Sequence, residues 1–325
     1  MKTLIIVVLS FIASQLSSAQ ETLRITTWNI EHLGGSGRGL GGIGSGTLGE
    51  RTPAQMEQIA KLIEDSLHSD IIAIQEVALN RLANAIKKND MLDTLLLFLG
   101  TEWKYVIGST GKDEQIGHQV DNLQNAFLWN SSRVTLIKDF DMNIPNIEIG
   151  KDKHAFDRQP LVGYFEAIDA TEANRTDFLL VNVHFKSGQD NDENHLAAMV
   201  IIERNLNKFL KSNSIKESDR AILGDFNDNP FDERYSDLMY TYMQSKKYID
   251  LKTEGIGATR MNDGLTSIID HILVNNSIRN EMNEVVAEKY IPSTDSTELA
   301  LWRRIFSDHF PISFELRISS DTDVD

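Results

Sequence analysis

The chain is 325 residues long, carries a formal net charge of −16 and contains no cysteine. This acidic balance excludes a nucleic-acid protein that binds by charge alone, because such binding needs a basic face. It leaves room for an enzyme that reaches phosphate through a metal ion and a few local cations. Without disulfides the fold must be held by its core, which about 300 residues can supply.

The N-terminus has the pattern of a secretory signal peptide. Lys2 precedes an apolar run from Leu4 to Ala13, and small residues follow up to Ala19. A run of this length is too short for a membrane-spanning helix, which needs about 20 residues. We therefore predict that residues 1–19 are removed and that the protein is secreted or periplasmic. Loss of the positive Lys2 changes the net charge from −16 to −17.

The first predicted strand, Leu23 to Ile30, presents Asn29 near its end. The glycine-rich segment from Gly34 to Gly49 follows, and it lacks the Gly-Lys-Ser/Thr ending of a phosphate-binding P-loop. Two interpretations of this segment stay open: a mobile surface loop without a nucleotide role, or a flexible flap beside a site.

The next part of the chain alternates helix and strand. Thr52-Pro53 is a typical helix start, and apolar residues with helical spacing continue to Leu67. The strand Asp70 to Val77 has a continuous apolar run that ends in Gln75-Glu76, which predicts burial on both faces. A carboxylate there needs a partner or a metal ion, because burying an unpaired charge is costly. A second helix is predicted from Arg81 to Leu99.

The middle of the chain supplies further strands and a cationic loop. The loop from Gly150 to Arg158 is a local basic patch in an acidic chain, and the last strand of this part presents His184. The predicted strands are Trp103 to Ile107, Asn125 to Trp129, Val134 to Phe140, Leu161 to Ile168 and Phe178 to Phe185.

A helix from Asn191 to about Leu210 precedes the strand Ala221 to Leu223, which leads to Asp225 and Asn227. Residues i and i+2 of an extended segment project to the same side. We therefore expect this acid and this amide to share a pocket.

Two more polar sites follow a helix predicted near Asp232 to Met243. Asp270 lies in the strand Ile268 to Val274, and Asp308 with His309 precedes the last strand. No linker divides the chain, so residues 20–318 are predicted to form one domain. Residues 319–325 are predicted to be a frayed acidic tail.

These polar residues lie mainly at strand ends, where α/β sheets bind ligands. Carboxylates and amides without cysteine suit a hard divalent ion such as Mg²⁺. Two histidines can transfer protons at neutral pH, so the combination indicates phosphoester hydrolysis. The set is Asn29, Glu76, His184, Asp225, Asn227, Asp270, Asp308 and His309.

Short motifs spanning residues 28–311 resemble, in order, those of the endonuclease/exonuclease/phosphatase superfamily, the group that contains secreted pancreatic-type deoxyribonuclease. The resemblance implies an α/β fold of four layers, in which two mixed sheets pack face to face with helices outside. The matching segments are Trp28-Asn29-Ile30, Gln75-Glu76-Val77, Arg158-Gln159-Pro160, Val183-His184, Gly224-Asp225-Phe226-Asn227, Ile269-Asp270-His271 and Ser307-Asp308-His309-Phe310-Pro311.

The resemblance also implies ligands. Asn29, Glu76 and Asp308 are similar to the family's metal-binding set. Mg²⁺ is the implied cofactor, with Mn²⁺ or an additional Ca²⁺ as alternatives. Arg158 resembles the arginine that grips the substrate phosphate.

The remaining roles follow from the same resemblance. Asp225 and Asn227 resemble the pair that orients the attacking water and the scissile phosphate. His184 looks like a phosphate donor or an acid–base group. His309 resembles the general base, polarised by Asp270.

Two departures from the family pattern bear on the site. Family nucleases often place a tyrosine or an acidic residue near the segment from Asp121 to Asn125. No tyrosine is present there, so Asp121 is only a candidate acidic partner of His184. The segment from Gly34 to Gly49 has no counterpart in the family pattern.

The first functional expectation is a secreted Mg²⁺-dependent phosphodiesterase that hydrolyses nucleic acid, a monomer without stable membrane association. A DNA endonuclease is favoured, and the sequence leaves open whether the polymer is DNA or RNA and whether cleavage is internal or terminal. The alternative is a phosphodiesterase or phosphatase acting on sphingomyelin, a phosphoinositide or another phosphoester, because fold and core motifs do not choose the substrate. A third interpretation, a binding protein without turnover, is disfavoured because the whole set of acid, amide and histidine positions is present.

Overall fold

The computed structural model describes most of the chain between residues 22 and 318. The predicted signal peptide, the acidic tail, Asp121 and residues 35–49 of the glycine-rich segment lie outside the described residues. None of the described helices is both long and apolar enough to cross a membrane. The described residues are 22–34, 50–79, 81–83, 86–109, 123–142, 156, 158–168, 176–187, 192–228, 237–251, 258–261 and 267–318.

Most described strands belong to two six-stranded sheets. The strand bounds are β1 Thr22–Leu33, β2 Ile71–Ala78, β3 Arg81–Ala83, β4 Ile86–Lys88, β5 Trp103–Ile107, β6 Leu123–Asn130, β7 Val134–Asp141, β8 Leu161–Ala167, β9 Asp177–His184, β10 Arg220–Asp225, β11 Tyr248–Asp250, β12 Asp270–Asn275, β13 Glu288–Lys289 and β14 Ile312–Arg317.

The two sheets are mixed. Sheet A has the order β13-β14-β1-β2-β6-β5, and sheet B has the order β11-β12-β10-β9-β8-β7. Within sheet A, β1 pairs with β2 in parallel, and within sheet B, β9 pairs with β10 in parallel. The parallel pair of each sheet therefore ends at one edge, where Asn29, Glu76, His184 and Asp225 are found.

Helices cover the outer face of each sheet. Side chains such as Phe127 and Phe165 fill the space between the sheets. Sheet A packs outward against α1, α2 and α6 through residues such as Ile59, and sheet B packs outward against α3 and α4 through residues such as Met199. The predicted four-layer α/β sandwich is thus confirmed. The helix bounds are α1 Pro53–Leu62, α2 Asp90–Leu99, α3 Asp192–Ser212, α4 Asp237–Ser245, α5 Asn276–Asn280 and α6 Ser296–Ile305.

The helix predicted from Arg81 to Leu99 is wrong in its first half. Strands β3 and β4 form a short antiparallel hairpin there, and α2 begins only at Asp90. The physical reason is the cap, because the Asn89 side chain accepts hydrogen bonds from the backbone N–H groups of Met91 and Leu92.

A buried polar bridge fixes how the two sheets face each other. From β9, Asn182 donates through Nδ2 to two backbone carbonyls of sheet A, at 3.0 and 2.8 Å. Its Oδ1 accepts from Gln75 Nε2 at 2.8 Å. Because Gln75 precedes Glu76 and Asn182 lies two residues before His184, this bridge brings the two polar strand ends together.

Candidate active site

Strained backbone marks the edge where the polar strand ends meet. Of the seven described non-glycine residues with positive φ, four lie here: Glu31, His32, Glu76 and Asn227. Strand pairing shifts register after Asn29 in β1 and before Val77 in β2, so bulges re-aim these side chains. Left-handed backbone is uncommon for such residues, and its concentration at one place is typical of a functional site.

Asn29 joins two carboxylates. Its Nδ2 lies 3.2 Å from Glu76 Oε1 and 2.9 Å from Asp225 Oδ2. Its Oδ1 accepts from the backbone N–H of Glu31 at 3.0 Å, and because that group can only donate, the amide NH₂ must face the carboxylates. Asn29 therefore acts as a donor between Glu76 and Asp225, and its role as a metal ligand stays a prediction.

A tight turn, and not strand alternation, brings Asp225 and Asn227 together. The expected extended geometry is wrong, because β10 ends at Asp225 and Asn227 has a φ of 49°. Asp225 Oδ1 accepts from the Asn227 backbone N–H at 2.8 Å, and Asn227 Nδ2 donates to the carbonyl of Phe185 at 3.0 Å. Burial raises the pKa of Asp225 to about 6, so a cation or a proton is favoured beside it.

His184 faces the same two carboxylates. Its Nε2 lies 3.6 Å from Asp225 Oδ2 and 3.9 Å from Glu76 Oε1. Burial, helped by the charge of Arg158, lowers the pKa of His184 well below its ordinary value, so the ring is neutral at pH 7. Its Nδ1 is buried without a hydrogen-bond partner among the described residues. Half-buried Arg158 is thus close to the pocket, and its grip on phosphate stays a prediction.

Asp270 and His309 form a buried pair. His309 Nδ1 lies 2.8 Å from Asp270 Oδ2, and its Nε2 lies 3.8 Å from both Asp225 Oδ2 and Asp308 Oδ1. Burial alone would lower the pKa of His309, but the surrounding carboxylates outweigh it and raise the pKa to about 10. His309 therefore holds a proton at neutral pH unless another cation balances those carboxylates.

Asp308 is held by two arginines. Its Oδ2 lies 3.1 Å from Arg260 Nε and 3.2 Å from Arg303 Nη1, and its backbone N–H donates to Glu31 Oε2 at 3.0 Å. Burial opposes ionisation, but the charges of His309 and of both arginines hold the pKa of Asp308 below its ordinary value. The predicted metal-binding role of Asp308 stays a prediction.

Sequence reasoning did not single out four residues of the pocket: Glu31, His32, Arg260 and Arg303. His32 offers its backbone N–H and its Nε2 to Glu76 Oε2, at 3.1 and 3.4 Å. A signal for Glu31 and His32 existed, because both directly follow the Asn29 motif. Arg260 and Arg303 have no local signal. Arg260 precedes its partner Asp308 by 48 residues, and Arg303 lies on the helix α6.

The donor set fits a hard divalent cation. Ligand atoms of Asp225, Asp270 and His309 all lie within 4.8 Å of one another. Glu76 lies on the other side of the shared Asn29 amide. Carboxylates with one imidazole and no thiol suit Mg²⁺ or Mn²⁺, and a cation would relieve the burial cost on Asp225.

The fold and this pocket together define a phosphoester hydrolase of the kind that works with divalent metal ions. The model of the Endonuclease/Exonuclease/phosphatase family matches residues 26–309, and the chain belongs to that family. The matched region contains every predicted site residue, from Asn29 to His309.

Solved structures share the fold at low sequence identity, and no curated protein sequence matches the chain. The endonuclease/exonuclease/phosphatase protein from Bacteroides vulgatus is 15% identical with a TM-score of 0.58, over 92% of this chain and 100% of that one. The human Nocturnin catalytic domain is 14% identical with a TM-score of 0.54, over 92% and 95%. A mannosyl-6-phosphatase from Bacteroides thetaiotaomicron is 16% identical with a TM-score of 0.53, over 90% and 99%.

Proposed function

We propose that the protein is a secreted Mg²⁺-dependent phosphodiesterase that hydrolyses nucleic acid, with DNA as the favoured polymer and cleavage inside the strand. The observation that carries the proposal is the convergence of Glu76, Asp225, His184 and the Asp270–His309 pair on one buried pocket. The nearby arginines supply local positive charge for a phosphate-rich substrate in an otherwise acidic chain.

The proposed mechanism gives each side chain one task. The Asn227 turn and Asp225 orient the substrate phosphate and the attacking water. His309 Nε2 takes the proton of that water, and Asp270 fixes the tautomer by accepting from Nδ1. Neutral His184 donates a hydrogen bond from Nε2 to a phosphate oxygen, which stabilises the charge that develops there.

The residues that would hold Mg²⁺ are Glu76 and Asp308, and Asn29 would join them only through the second lone pair of its Oδ1. The cluster of Asp225, Asp270 and His309 lies beside them. When bound, a divalent cation supplies positive charge that polarises the phosphate and brings the pKa of His309 down toward neutrality. Glu76 is the first ligand that we propose, because an amide, a backbone N–H and His32 contact its carboxylate, and none of these carries the permanent charge of a lysine or an arginine.

Plasmid cleavage tests the proposal. The mature protein, with Mg²⁺, should convert supercoiled plasmid to open circles and then to linear DNA, and EDTA should stop the reaction. His309→Ala, purified in parallel, controls for contaminating nuclease. Absence of metal-dependent nicking by the wild type would remove the nuclease assignment.

Glu76→Gln tests the metal assignment. The glutamine keeps the shape of the side chain but removes its charge, so the Mg²⁺ concentration for half-maximal activity should rise by about 10-fold or more. Glu57→Gln, on the exposed surface of α1, is the matched control. An unaltered Mg²⁺ titration for Glu76→Gln would exclude Glu76 as a ligand.

A second candidate function is hydrolysis of another phosphoester. The fold is shared with a mannosyl-6-phosphatase, and neither the fold nor the core residues choose the substrate. RNA, sphingomyelin liposomes and a sugar phosphate therefore belong beside plasmid in the assay. Release of phosphocholine or inorganic phosphate with intact plasmid would reverse the ranking.

Export is a separate part of the proposal. The expected N-terminal residue of the protein recovered from the periplasm or the medium is Gln20, directly after the predicted cleavage site. Recovery of a chain that still begins at Met1 would contradict it.

A further inference from the structure

Behind the pocket lies a second set of imidazoles and carboxylates that the proposed mechanism does not use. We name it the turn brace, because it contacts the turn after β10, and its members are His195, Asp228, Asp250 and His271. The brace is buried: the side chains of His271 and Asp250 are each 5% exposed, and that of His195 is 2% exposed. Burying ionisable groups is costly unless they are paired or hydrogen-bonded, so the contacts of these four residues show what they hold in place.

The brace holds the residue that follows Asn227. His271 Nε2 lies 3.1 Å from the backbone carbonyl of Asp228, and His195 Nδ1 lies 3.4 Å from the Asp228 carboxylate. Each imidazole is anchored at its other nitrogen: His271 Nδ1 lies 3.0 Å from Asp250 Oδ2, and His195 Nε2 lies 2.8 Å from the carbonyl of Lys186. The Asp228 residue is thus tied to β12 through its backbone and to α3 through its side chain.

The chemistry of the partners fixes the state of His271. A carbonyl and a carboxylate only accept hydrogen bonds, so both ring nitrogens of His271 must donate. Burial would lower the pKa of His271, but the Asp250 carboxylate outweighs it and raises the pKa above its ordinary value. His271 is therefore a two-armed donor that connects Asp250 to the turn after β10.

Aromatic packing gives the brace a rigid frame. Phe226 meets the His271 ring edge-on at 5.6 Å, and Phe185 stacks on the His195 ring at 5.7 Å. The two phenylalanines contact each other at 5.0 Å. Because Phe226 directly precedes Asn227 and the Phe185 carbonyl accepts from the Asn227 amide, the frame and the strained turn are one unit.

We propose that His271 is a positioning residue for the reaction, holding the Asp225 to Asp228 turn so that Asn227 is presented to the substrate phosphate. This inference rests on the proposed function for its activity readout. The turn needs a support because Asn227 has left-handed backbone, which a residue other than glycine adopts at an energetic cost relative to extended geometry. The hydrogen bond from His271 Nε2 to the Asp228 carbonyl holds the turn. The hydrogen bond from Nδ1 to Asp250 fixes the orientation of the ring.

Two substitutions separate the effects of the two hydrogen bonds that the His271 ring makes. In His271→Gln the amide nitrogen is three bonds from Cβ, as Nε2 is in histidine, so it can still donate to the Asp228 carbonyl. In His271→Asn the amide nitrogen is two bonds from Cβ, as Nδ1 is, so it can reach only Asp250. Both variants remove the ring and its charge from the core, so a merely structural role predicts similar losses of stability and of activity.

The first readout is the kinetics of Mg²⁺-dependent plasmid nicking. We expect His271→Asn to lose roughly 10-fold to 100-fold in kcat, because small misplacements of a positioning group are amplified in the rate. His271→Gln should lose at most about 3-fold at a similar melting temperature. Equal losses in the two variants, or wild-type kcat in a folded His271→Asn, would overturn the proposal.

The second readout does not depend on turnover. Amide hydrogen exchange of a peptide covering residues 223–228 should be faster in His271→Asn than in His271→Gln or the wild type. If the wild type hydrolyses no phosphoester, the proposed function fails while the exchange comparison still decides whether His271 orders the turn. Equal protection in both variants would overturn the positioning role even in an active enzyme.

Discussion

Asp225 is the residue on which the pocket converges. Its Oδ2 lies 2.9 Å from Asn29 Nδ2, 3.6 Å from His184 Nε2 and 3.8 Å from His309 Nε2. Its other oxygen is used by the backbone N–H of Asn227. One buried carboxylate thus connects the amide of Asn29 in β1, both histidines and the turn. Burial raises the pKa of Asp225 to about 6, although His309 and the hydrogen bonds from Asn29 and Asn227 oppose the rise.

At the same scale, the Asp270–His309 pair should behave as a unit in catalysis. His309→Ala should lower kcat by about 10²-fold, because it removes the group that accepts the proton. Asp270→Asn should also lower kcat, because an asparagine can present its NH₂ to Nδ1 and favour the wrong tautomer. Initial rates of plasmid nicking, with melting temperatures as the fold control, measure both losses.

The double variant distinguishes a unit from two independent residues. If Asp270 acts only through His309, His309→Ala combined with Asp270→Asn should be no slower than the slower single variant. Losses that multiply would contradict the pairing, and unchanged rates in both single variants would exclude His309 as the base.

At the scale of elements, close packing of neighbouring strands positions the strand ends. Gly224 shows how tight they are: a Cβ at this position would lie 2.0 Å from the carbonyl oxygen of Val183, on the neighbouring strand β9. Only glycine therefore allows β10 to approach β9 immediately before Asp225. The same edge is closed by buried Arg51, which ties the end of β1 to the end of α6.

Arg51 is expected to matter for stability more than any surface arginine. Its guanidinium donates to the carbonyls of Ile30 and Phe306, both at 2.5 Å, and burial lowers its pKa to about 10. Arg51→Met fills similar volume but leaves buried carbonyls unpaired, so the free energy of unfolding should fall by roughly 3 kcal/mol. Urea unfolding of the two proteins measures the difference.

The matched control is Arg279→Met, at an exposed position of α5. A surface substitution of this kind should change the free energy of unfolding by no more than about 0.5 kcal/mol. Equal effects of the two substitutions would mean that Arg51 does not link β1 to α6.

At the scale of the whole molecule, both ends of sheet B carry carboxyl groups whose pKa is raised by burial. His184 and Asp225 end β9 and β10 at the pocket, whereas acidic residues lie at the starts of the same strands. Burial raises the pKa of Glu217 to about 8, and burial together with the neighbouring Asp219 raises the pKa of Glu281 to about 7. Asp219 itself is buried with an unpaired oxygen in the described part of the chain.

The raised pKa values of Glu217 and Glu281 predict that the free energy of unfolding falls as pH rises. Between the unfolded-state pKa near 4.5 and the folded-state pKa, the native protein binds more protons than the unfolded chain, so each pH step favours unfolding. The loss should run from about pH 4.5 to about 7 for Glu281 and to about 8 for Glu217. Urea unfolding at several pH values across this window measures the slope.

Glutamine imitates the protonated glutamate, so Glu217→Gln and Glu281→Gln should each flatten that slope. Glu284→Gln, at an exposed position of the same region, should leave the slope unchanged. A slope that is the same in all four proteins would show that these carboxyl groups titrate alike in the folded and unfolded chains.

The sequence by itself determined the fold class and identified polar residues that the structure gathers in one pocket. Apolar runs such as Asp70 to Val77 predict buried strands, because burial on both faces leaves no polar alternation. The polar residues at the predicted strand ends were the candidate site residues, among them Asn29, Glu76, His184 and Asp225. The structure brings these four together. The same local patterns failed at Arg81 to Lys88, where a cap at Asn89 prevailed over helix propensity.

The tertiary structure alone decided the partners. Nothing near Arg260 in the chain indicates that it pairs with Asp308, and nothing near His271 indicates that it holds the Asp228 carbonyl. The left-handed backbone of Asn227 was equally hidden, because the partner of its side-chain amide, the carbonyl of Phe185, lies far away in the chain. Local sequence encodes which segments are buried and extended, whereas hydrogen-bond partners depend on how segments far apart in the chain pack together.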